Sequence, residues 1–161
     1  NSQSWKFVVV REKNKELAKL AYGTNFDQVS EAPVTIVLFS DTDLPKRARK
    51  IARIGGAKNF SEEQLQYFLK NLPAEYTRYN EQQISDYLAL NAGLVAMNLV
   101  LALTDQGIGS NIILGFDKSK VNEVLDIDAR FRPELLITVG YTDKKLEPSY
   151  RLPVDEIIEK R

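Results

Sequence analysis

The sequence contains no cysteine and no histidine among its 161 residues. The absence of cysteine excludes disulfides and thiol nucleophiles, and the absence of both residue types excludes most zinc sites. Without histidine, the chain also lacks the imidazole that most often serves as a general base. An enzyme of this composition must therefore use carboxylates, a borrowed metal, or an organic cofactor that carries the chemistry itself.

Net charge is also absent, because Lys plus Arg and Asp plus Glu each total 22. This balance gives no electrostatic case for binding nucleic acid or an anionic membrane. No secretory signal is recognised. The longest apolar stretch, residues 89–103, is interrupted by Asn91 and Asn98 and is shorter than the roughly 20 residues of a membrane span. We therefore expect a cytoplasmic protein that binds neither nucleic acid nor membrane.

Apolar residues make up 43% of the chain, which is enough for the core of one domain spanning residues 1–161. Strands and helices alternate along the chain, which predicts an α+β fold with a small central mixed sheet flanked by helices. A capping box at Ser61 begins one helix, which we expect to end at Pro73. The predicted strands cover residues 6–10, 34–39, 111–114 and 134–139, and the predicted helices cover residues 14–21, 61–72, 81–106 and 117–125.

The helix predicted for residues 81–106 is apolar on nearly every face between Leu88 and Leu103, and Gly107 is its natural end. Such a helix must be buried all round, which is difficult in a single chain of this size. We therefore expect this helix to lie at the centre of a homodimer.

The first five residues, Asn1-Ser2-Gln3-Ser4-Trp5, run directly into a predicted strand. This segment resembles the Asn-Ser-Gln-Pro-Trp motif of the nitroreductase family, whose members use FMN and NAD(P)H to reduce small electron-poor molecules. In that family a helix and an arm that grips the flavin phosphate precede the motif. The resemblance therefore implies that the N-terminal part of such a protein is missing from this sequence. Taken alone, Asn-Ser-Gln before a strand is also typical of a polar loop.

Residues 23–28, followed by Glu31-Ala32-Pro33, resemble the family's flavin-ring loop. The resemblance places Asn25 at the pyrimidine edge of the ring. Gln28 stands where many members have lysine, and its amide can still donate a hydrogen bond without a charge. The alternative for Asn25 is a local cap or turn after Gly23.

Residues 107–116 resemble the family's strand over the flavin ring. The resemblance implies contacts at Ile112, and backbone N–H groups of Leu114 and Gly115 directed at flavin N5. Some members carry glutamate at the position of Leu114. Gly107 and Gly109 follow a helix and precede a strand, which is the reverse of the dinucleotide fingerprint and makes a Rossmann site improbable.

Residues 149–153 resemble the family's C-terminal phosphate clamp, with Arg151 retained and Ser149 in place of lysine. A guanidinium suits phosphate because its planar donors pair bidentately, although Arg151 also fits an ordinary surface charge. The resemblance further implies that Asn1 and Gln3 reach the flavin of the neighbouring subunit. It places Asn91 near a ring-contacting position.

The resemblance implies an FMN-dependent oxidoreductase that needs no catalytic side chain, because the flavin carries the chemistry. NAD(P)H would be the co-substrate, and nitroaromatics, quinones or similar small molecules would be the acceptors in a ping-pong cycle. The alternatives are a flavin-binding or structural homodimer with little turnover, and a flavin-processing or dehalogenating relative. The segment of residues 45–53 carries Lys46, Arg47, Arg49, Lys50 and Arg53 and fits a solvated helix face or a site that steers the phosphate of NADPH.

Overall fold

The protein is described from a computed structural model, which covers residues 2–143 and 149–161 and omits the side chains of residues 57–59. Its strands are β1 (Trp5–Val10), β2 (Val34–Asp41), β3 (Gly109–Ile113) and β4 (Phe131–Gly140). Its α-helices are α1 (Asn14–Ala18), α2 (Asn25–Glu31), α3 (Leu44–Asn59), α4 (Glu62–Tyr76), α5 (Glu81–Asp105) and α6 (Val121–Leu125). Short 3₁₀ helices cover Lys118–Lys120 and Val154–Glu156.

The four strands form one sheet in the order β1-β2-β4-β3, and the expected α+β architecture is confirmed. The expected mixed strand directions are wrong for the described residues, since all three strand pairings are antiparallel. The two central strands, β2 and β4, are buried along most of their length. The edge strands β1 and β3 are only partly buried, as their position requires.

Each face of the sheet carries its own hydrophobic core, because successive strand residues point to opposite faces. Val37 and Leu136 pack against α1, α2 and α6 on one face. Leu38 and Ile137 pack against α5 on the other face. Ala92 and Ala96 form the side of α5 that contacts the sheet, and these small side chains allow close packing.

Helix α5 begins at a capping box formed by Asn80 and Gln83 and is followed by Gly107, whose φ of +70° favours glycine. In the single chain, α5 is not buried all round. The face opposite the sheet is exposed and consists of Leu90, Leu94, Met97 and Leu101. By length and composition α5 also meets the criteria for a membrane span, although such a test is passed equally by helices packed inside proteins. Burial of this face requires a partner.

Helices α3 and α4 form a hairpin that packs on the first half of α5. Leu44 and Ala48 of α3 share a buried cluster with Tyr76 of α4 and Leu88 of α5. The capping box at Ser61 is confirmed, with its hydroxyl accepting from the Gln64 N–H. The helix does not end at Pro73, which is buried within the last turn of α4.

Candidate functional site

The first group of predicted site residues lies where α2 meets the end of β3. Gly23 turns the chain with a φ of +56°, and α2 starts at Asn25, so the predicted flavin-ring loop is largely helical. The Asn25 side-chain amide donates to the Gly115 carbonyl oxygen at 3.2 Å. The Tyr22 N–H donates to the same oxygen at 2.9 Å. These two bonds place Asn25 and Tyr22 beside Gly115 at the end of β3.

The backbone N–H groups of Leu114 and Gly115 have no acceptor within residues 2–143 and 149–161. The pairing of β3 ends at Ile113, and the Leu114 side chain is 67% exposed. Unpaired N–H groups cost free energy unless water or a ligand accepts from them. The end of β3 therefore presents two donors at an accessible edge.

Gly115 lies close to the side chain of Asn25. A Cβ at this position would lie 2.8 Å from the Asn25 side-chain nitrogen. That distance is shorter than any ordinary van der Waals contact. A side chain at residue 115 would displace Asn25 and change the local arrangement around both donors.

Gln28 lies one turn further along α2, where its side-chain oxygen accepts a short hydrogen bond from the Asn111 amide. The Gln28 amide nitrogen remains available as a donor, because one side-chain amide carries both functions. A cleft of about 470 Å³ lies beside this pair, between α2 and the ends of β3 and β4. Ile112 points to the opposite face of β3, toward α5, and is 37% exposed. Ile112 and Gln28 therefore lie on different faces of the sheet.

The second group of predicted residues belongs to the N-terminal arm, defined as residues 2–4. Ser2 is fully buried, and its hydroxyl shares a 2.9 Å hydrogen bond with the Tyr87 hydroxyl. The Asn91 side chain donates to the Tyr87 carbonyl oxygen at 2.8 Å, so Ser2 and Asn91 both contact Tyr87 of α5. Asn1 lies outside the described residues.

Gln3 adopts a φ of +42°, which is uncommon for a residue other than glycine. Its carbonyl oxygen accepts from Arg47 Nε at 2.9 Å, and the Arg47 Nη2 donates to the Trp5 carbonyl oxygen at 3.2 Å. Arg47 also lies 4.0 Å from the buried carboxylate of Asp41. The arm is thus held in place by α3 on one side and by α5 on the other.

Three tyrosines extend the arm's network into the α4–α5 junction. The Tyr87 hydroxyl lies 3.2 Å from the Tyr76 hydroxyl, and the Tyr79 ring packs on both of the other rings. Burial, followed by the hydrogen bond with Tyr87, raises the pKa of Tyr76 to about 12. The Tyr76 phenol therefore remains protonated throughout the physiological pH range.

The two groups lie at opposite edges of the sheet. Three strand spacings separate β1 from β3 in the observed strand order, a distance of roughly 14 Å at 4.7–4.9 Å per spacing. The arm and the end of β3 therefore do not meet around one small ring within a single chain. If both groups bind the same ligand, one of them must come from a second copy.

The predicted phosphate-clamp residues lie in the C-terminal segment, residues 149–161, which is exposed throughout. The Arg151 guanidinium donates only to the neighbouring Tyr150 carbonyl oxygen, at 2.8 Å, among the described residues. Ser149 is likewise exposed. The structure thus does not bring Ser149 and Arg151 to either of the other groups. No cluster of His, Cys, Asp or Glu suited to a metal ion occurs in the described part of the chain.

Three contact residues were missed by sequence reasoning, namely Arg47, Tyr87 and Asn111. Their partners are Gln3, Ser2 and Gln28, which are 44, 85 and 83 positions away along the chain. Residue type and spacing carry no information about pairs so far apart. Arg47 was included in the basic run, but nothing distinguished it there from its neighbours.

Comparison with known proteins agrees with the observed fold. The sequence model of the nitroreductase family matches residues 1–141. A protein of Streptococcus pyogenes, provisionally named an NAD(P)H nitroreductase, is 62% identical over 161 residues, which cover the whole chain and 80% of that protein. The chain therefore belongs to the nitroreductase family, which is a family of oxidoreductases.

Solved structures give the same result. A nitroreductase family protein from Streptococcus pneumoniae TIGR4 superposes with a TM-score of 0.94 at 88% identity, covering 99% of this chain and 80% of that one. A protein of Exiguobacterium sibiricum, provisionally named a nitroreductase, superposes with a TM-score of 0.89 at 26% identity. The match covers 99% of this chain and 78% of that chain, which was crystallised in complex with FMN.

Proposed function

We propose that the protein is an FMN-dependent NAD(P)H oxidoreductase that works as a cytoplasmic homodimer. The observation that carries this proposal is the pair of unpaired N–H groups at Leu114 and Gly115 beside Asn25. Such donors at an accessible sheet edge suit the nitrogen and oxygen atoms along one side of a flavin ring. The FMN complex of the E. sibiricum relative supports the choice of cofactor.

The chemistry that FMN supplies when bound is hydride transfer from NAD(P)H through flavin N5 to a nitroaromatic, quinone or similar small acceptor, in a ping-pong cycle. The residues of this chain bind and orient the reactants. The N–H groups of Leu114 and Gly115 would donate to the edge of the ring that carries N5, and the amides of Asn25 and Gln28 would supply donors to its pyrimidine side. No residue of the chain has to exchange a proton or form a covalent bond, which suits a sequence without Cys and His.

The second half of the site comes from the partner subunit in this proposal. The N-terminal arm and the end of β3 lie at opposite edges of one sheet, so one ring contacts both only across a subunit boundary. The exposed apolar face of α5 provides the dimer contact through Leu90, Leu94, Met97 and Leu101. With this face buried in the dimer, α5 would not need a membrane to cover its apolar side chains. Arg151 and Ser149, on an exposed segment, are the proposed phosphate contacts.

The first test is the visible absorption spectrum of the purified protein, with the flavin identified after denaturation, followed by NADPH addition without air. We expect FMN that loses its colour with NADPH and regains it on addition of a quinone. A folded dimer that contains no flavin and takes up none from solution would contradict the proposal.

Gly115→Ala tests the site directly. The added methyl group pushes against the Asn25 amide at 2.8 Å and disturbs the two donors. Because Asn25 has to move from its position beside the donors, we expect FMN affinity to fall by about tenfold, a loss of about 1.4 kcal/mol. Gly55→Ala is the matched control, because a Cβ at that helical position meets nothing within 4 Å. Equal flavin retention by the two variants on dialysis would argue against a flavin at this edge.

The alternative function is a flavin-binding or structural homodimer with little turnover. The observation that favours it concerns Gln28, which stands where many family members have a charged lysine. Its side chain is uncharged, and its oxygen already accepts a hydrogen bond from Asn111. Stopped-flow reduction by NADPH separates the two functions. Bound FMN that is not reduced within minutes would favour the alternative.

A further inference from the structure

We propose that the exposed face of α3 binds the 2′-phosphate of NADPH, and that the protein therefore prefers NADPH to NADH. This inference rests on the proposed oxidoreductase function and adds a recognition site to it. The site is the α3 stripe, defined as Lys46, Arg49, Lys50 and Arg53.

The stripe follows from the helical spacing. Its members occupy positions i, i+3, i+4 and i+7, which place four cations on one side of the helix over about 10 Å. The opposite side is buried through Leu44, Ala48 and Ala52. The chain as a whole has no net charge, so this concentration of positive charge is local to α3.

None of the four cations has an anionic partner within the described residues. The ion pairs found there involve other arginines, and Arg47 of the same helix is bound to the arm and to Asp41. Surface cations are commonly balanced by acidic neighbours at i±3 or i±4. Lys46 has Asp43 three residues before it, at the N-cap of α3. Arg49, Lys50 and Arg53 have no Asp or Glu at these spacings. These three cations, together with Lys46, create a positive potential that an anionic ligand would neutralise.

An apolar depression lies between the side chains of the stripe and could hold part of a nucleotide. A depression of about 430 Å³ lies between its four members and Ile54, whose side chain is 57% exposed. The aliphatic parts of Lys and Arg side chains provide apolar walls while their charged groups reach solvent. Ile54 and these walls suit the face of an adenine, and the charged groups suit the phosphate on the adjoining ribose.

The position of the stripe links it to the proposed active site. Arg47 donates to the carbonyl oxygens of Gln3 and Trp5, so Lys46 and Lys50 lie within one helical turn of the N-terminal arm. In the proposed dimer, the arm contacts the flavin. A dinucleotide stretched along α3 would then have its nicotinamide toward the arm and its adenosine toward Arg53.

The test uses the double variant Lys50→Gln/Arg53→Gln. Both side chains are exposed, so the substitutions should not affect folding. The control is Lys15→Gln/Lys19→Gln, which removes two exposed charges from the α1 region on the other side of the sheet. Binding of 2′,5′-ADP and of 5′-AMP is measured by calorimetry at low and high salt, and kcat/KM is measured with NADPH and with NADH.

We expect the wild type to bind 2′,5′-ADP more tightly than 5′-AMP, and the preference to weaken with salt. The stripe variant should lose about tenfold or more in kcat/KM for NADPH and less than about twofold for NADH. The control variant should change neither. Equal losses for both nucleotides, or a wild type that does not distinguish 2′,5′-ADP from 5′-AMP, would overturn the inference.

The binding measurement separates this inference from the proposed function. A protein that reduces acceptors with no preference between NADPH and NADH refutes the stripe while the oxidoreductase stands. A protein without flavin that still prefers 2′,5′-ADP through the stripe supports the recognition site and refutes the oxidoreductase.

Discussion

Helices α3 and α5 have the same architecture on their buried sides and opposite chemistry on their exposed sides. Each packs inward through alanines, Ala48 and Ala52 in α3 and Ala92 and Ala96 in α5. The exposed side of α3 carries four cations, whereas that of α5 carries four large apolar residues. Cations are stable in water, but an apolar face of this size normally marks an interaction surface. The difference fits the proposals that α3 binds an anionic nucleotide and that α5 forms the dimer contact.

The largest effect should come from a charge on the apolar face of α5. Leu94→Glu would place a carboxylate in the centre of the proposed dimer contact, where an unpaired buried charge costs several kcal/mol. We expect the dimer dissociation constant to rise at least about a hundredfold, with loss of FMN. Sedimentation velocity at several concentrations measures this change. Arg49→Glu on α3 is the control, and a dimer equally weakened by both variants would contradict the contrast between the two helices.

The next effect concerns the tyrosines at the junction of α4 and α5, which contact the N-terminal arm. Tyr87→Phe removes the partner of the buried Ser2 hydroxyl and of the Tyr76 hydroxyl. Leaving buried polar groups unsatisfied costs about 1–3 kcal/mol. We expect a lower free energy of unfolding in urea and weaker flavin retention, both in the same variant. Tyr79→Phe is the control, since the Tyr79 ring contacts are kept without its hydroxyl.

The fold was predictable from sequence where local chemistry fixes an element. Helix α5 was predicted within one residue because Gly107 marks its end, and the α4 capping box was found from Ser61 and Gln64. Helix α2 was missed, since Val29 is its only buried residue and its other positions show no apolar period. The antiparallel sheet was not predicted either. Strand direction depends on which strands pair, and β2 pairs with β4 about a hundred residues away.

The site was predictable only as far as the family motif extends. Asn25, Leu114 and Gly115 were identified in advance and do lie together. The motif named Ser2 and Gln3 but not their partners, because Tyr87 and Arg47 lie on helices whose packing is set by the whole fold. Pro73 gave a wrong helix end, since a buried proline near the last turn costs one hydrogen bond without stopping the helix.

A smaller effect is expected from pH at the same tyrosine cluster. The folded pKa of Tyr76, about 12, lies above the ordinary value of 10.0. The folded state therefore holds this proton more tightly than the unfolded state does. The resulting stabilisation is complete below pH 10 and is lost as pH rises toward 12. Tyr76→Phe should reduce the slope of unfolding free energy against pH in this window, and an unchanged slope would contradict the assignment.

The smallest effect should come from the α3–α4 hairpin itself. Ser61→Ala removes the hydroxyl that accepts from the Gln64 N–H at the start of α4. Loss of such a cap costs about 1 kcal/mol. We expect a slightly lower unfolding free energy and an unchanged dimer, measured by urea denaturation and sedimentation. A weakened dimer would mean that the hairpin also takes part in subunit contact.

The hydrogen bonds from Arg47 to the N-terminal arm have a consequence for protein engineering. The α3–α4 hairpin is continuous in sequence and could therefore be exchanged as one segment. Such an exchange would nevertheless affect the arm. Arg47 fixes the backbone of Gln3 and Trp5, and Tyr76 supports the tyrosine that holds Ser2. A replacement hairpin that lacks these two side chains would release the N-terminal arm and so disturb the proposed flavin site.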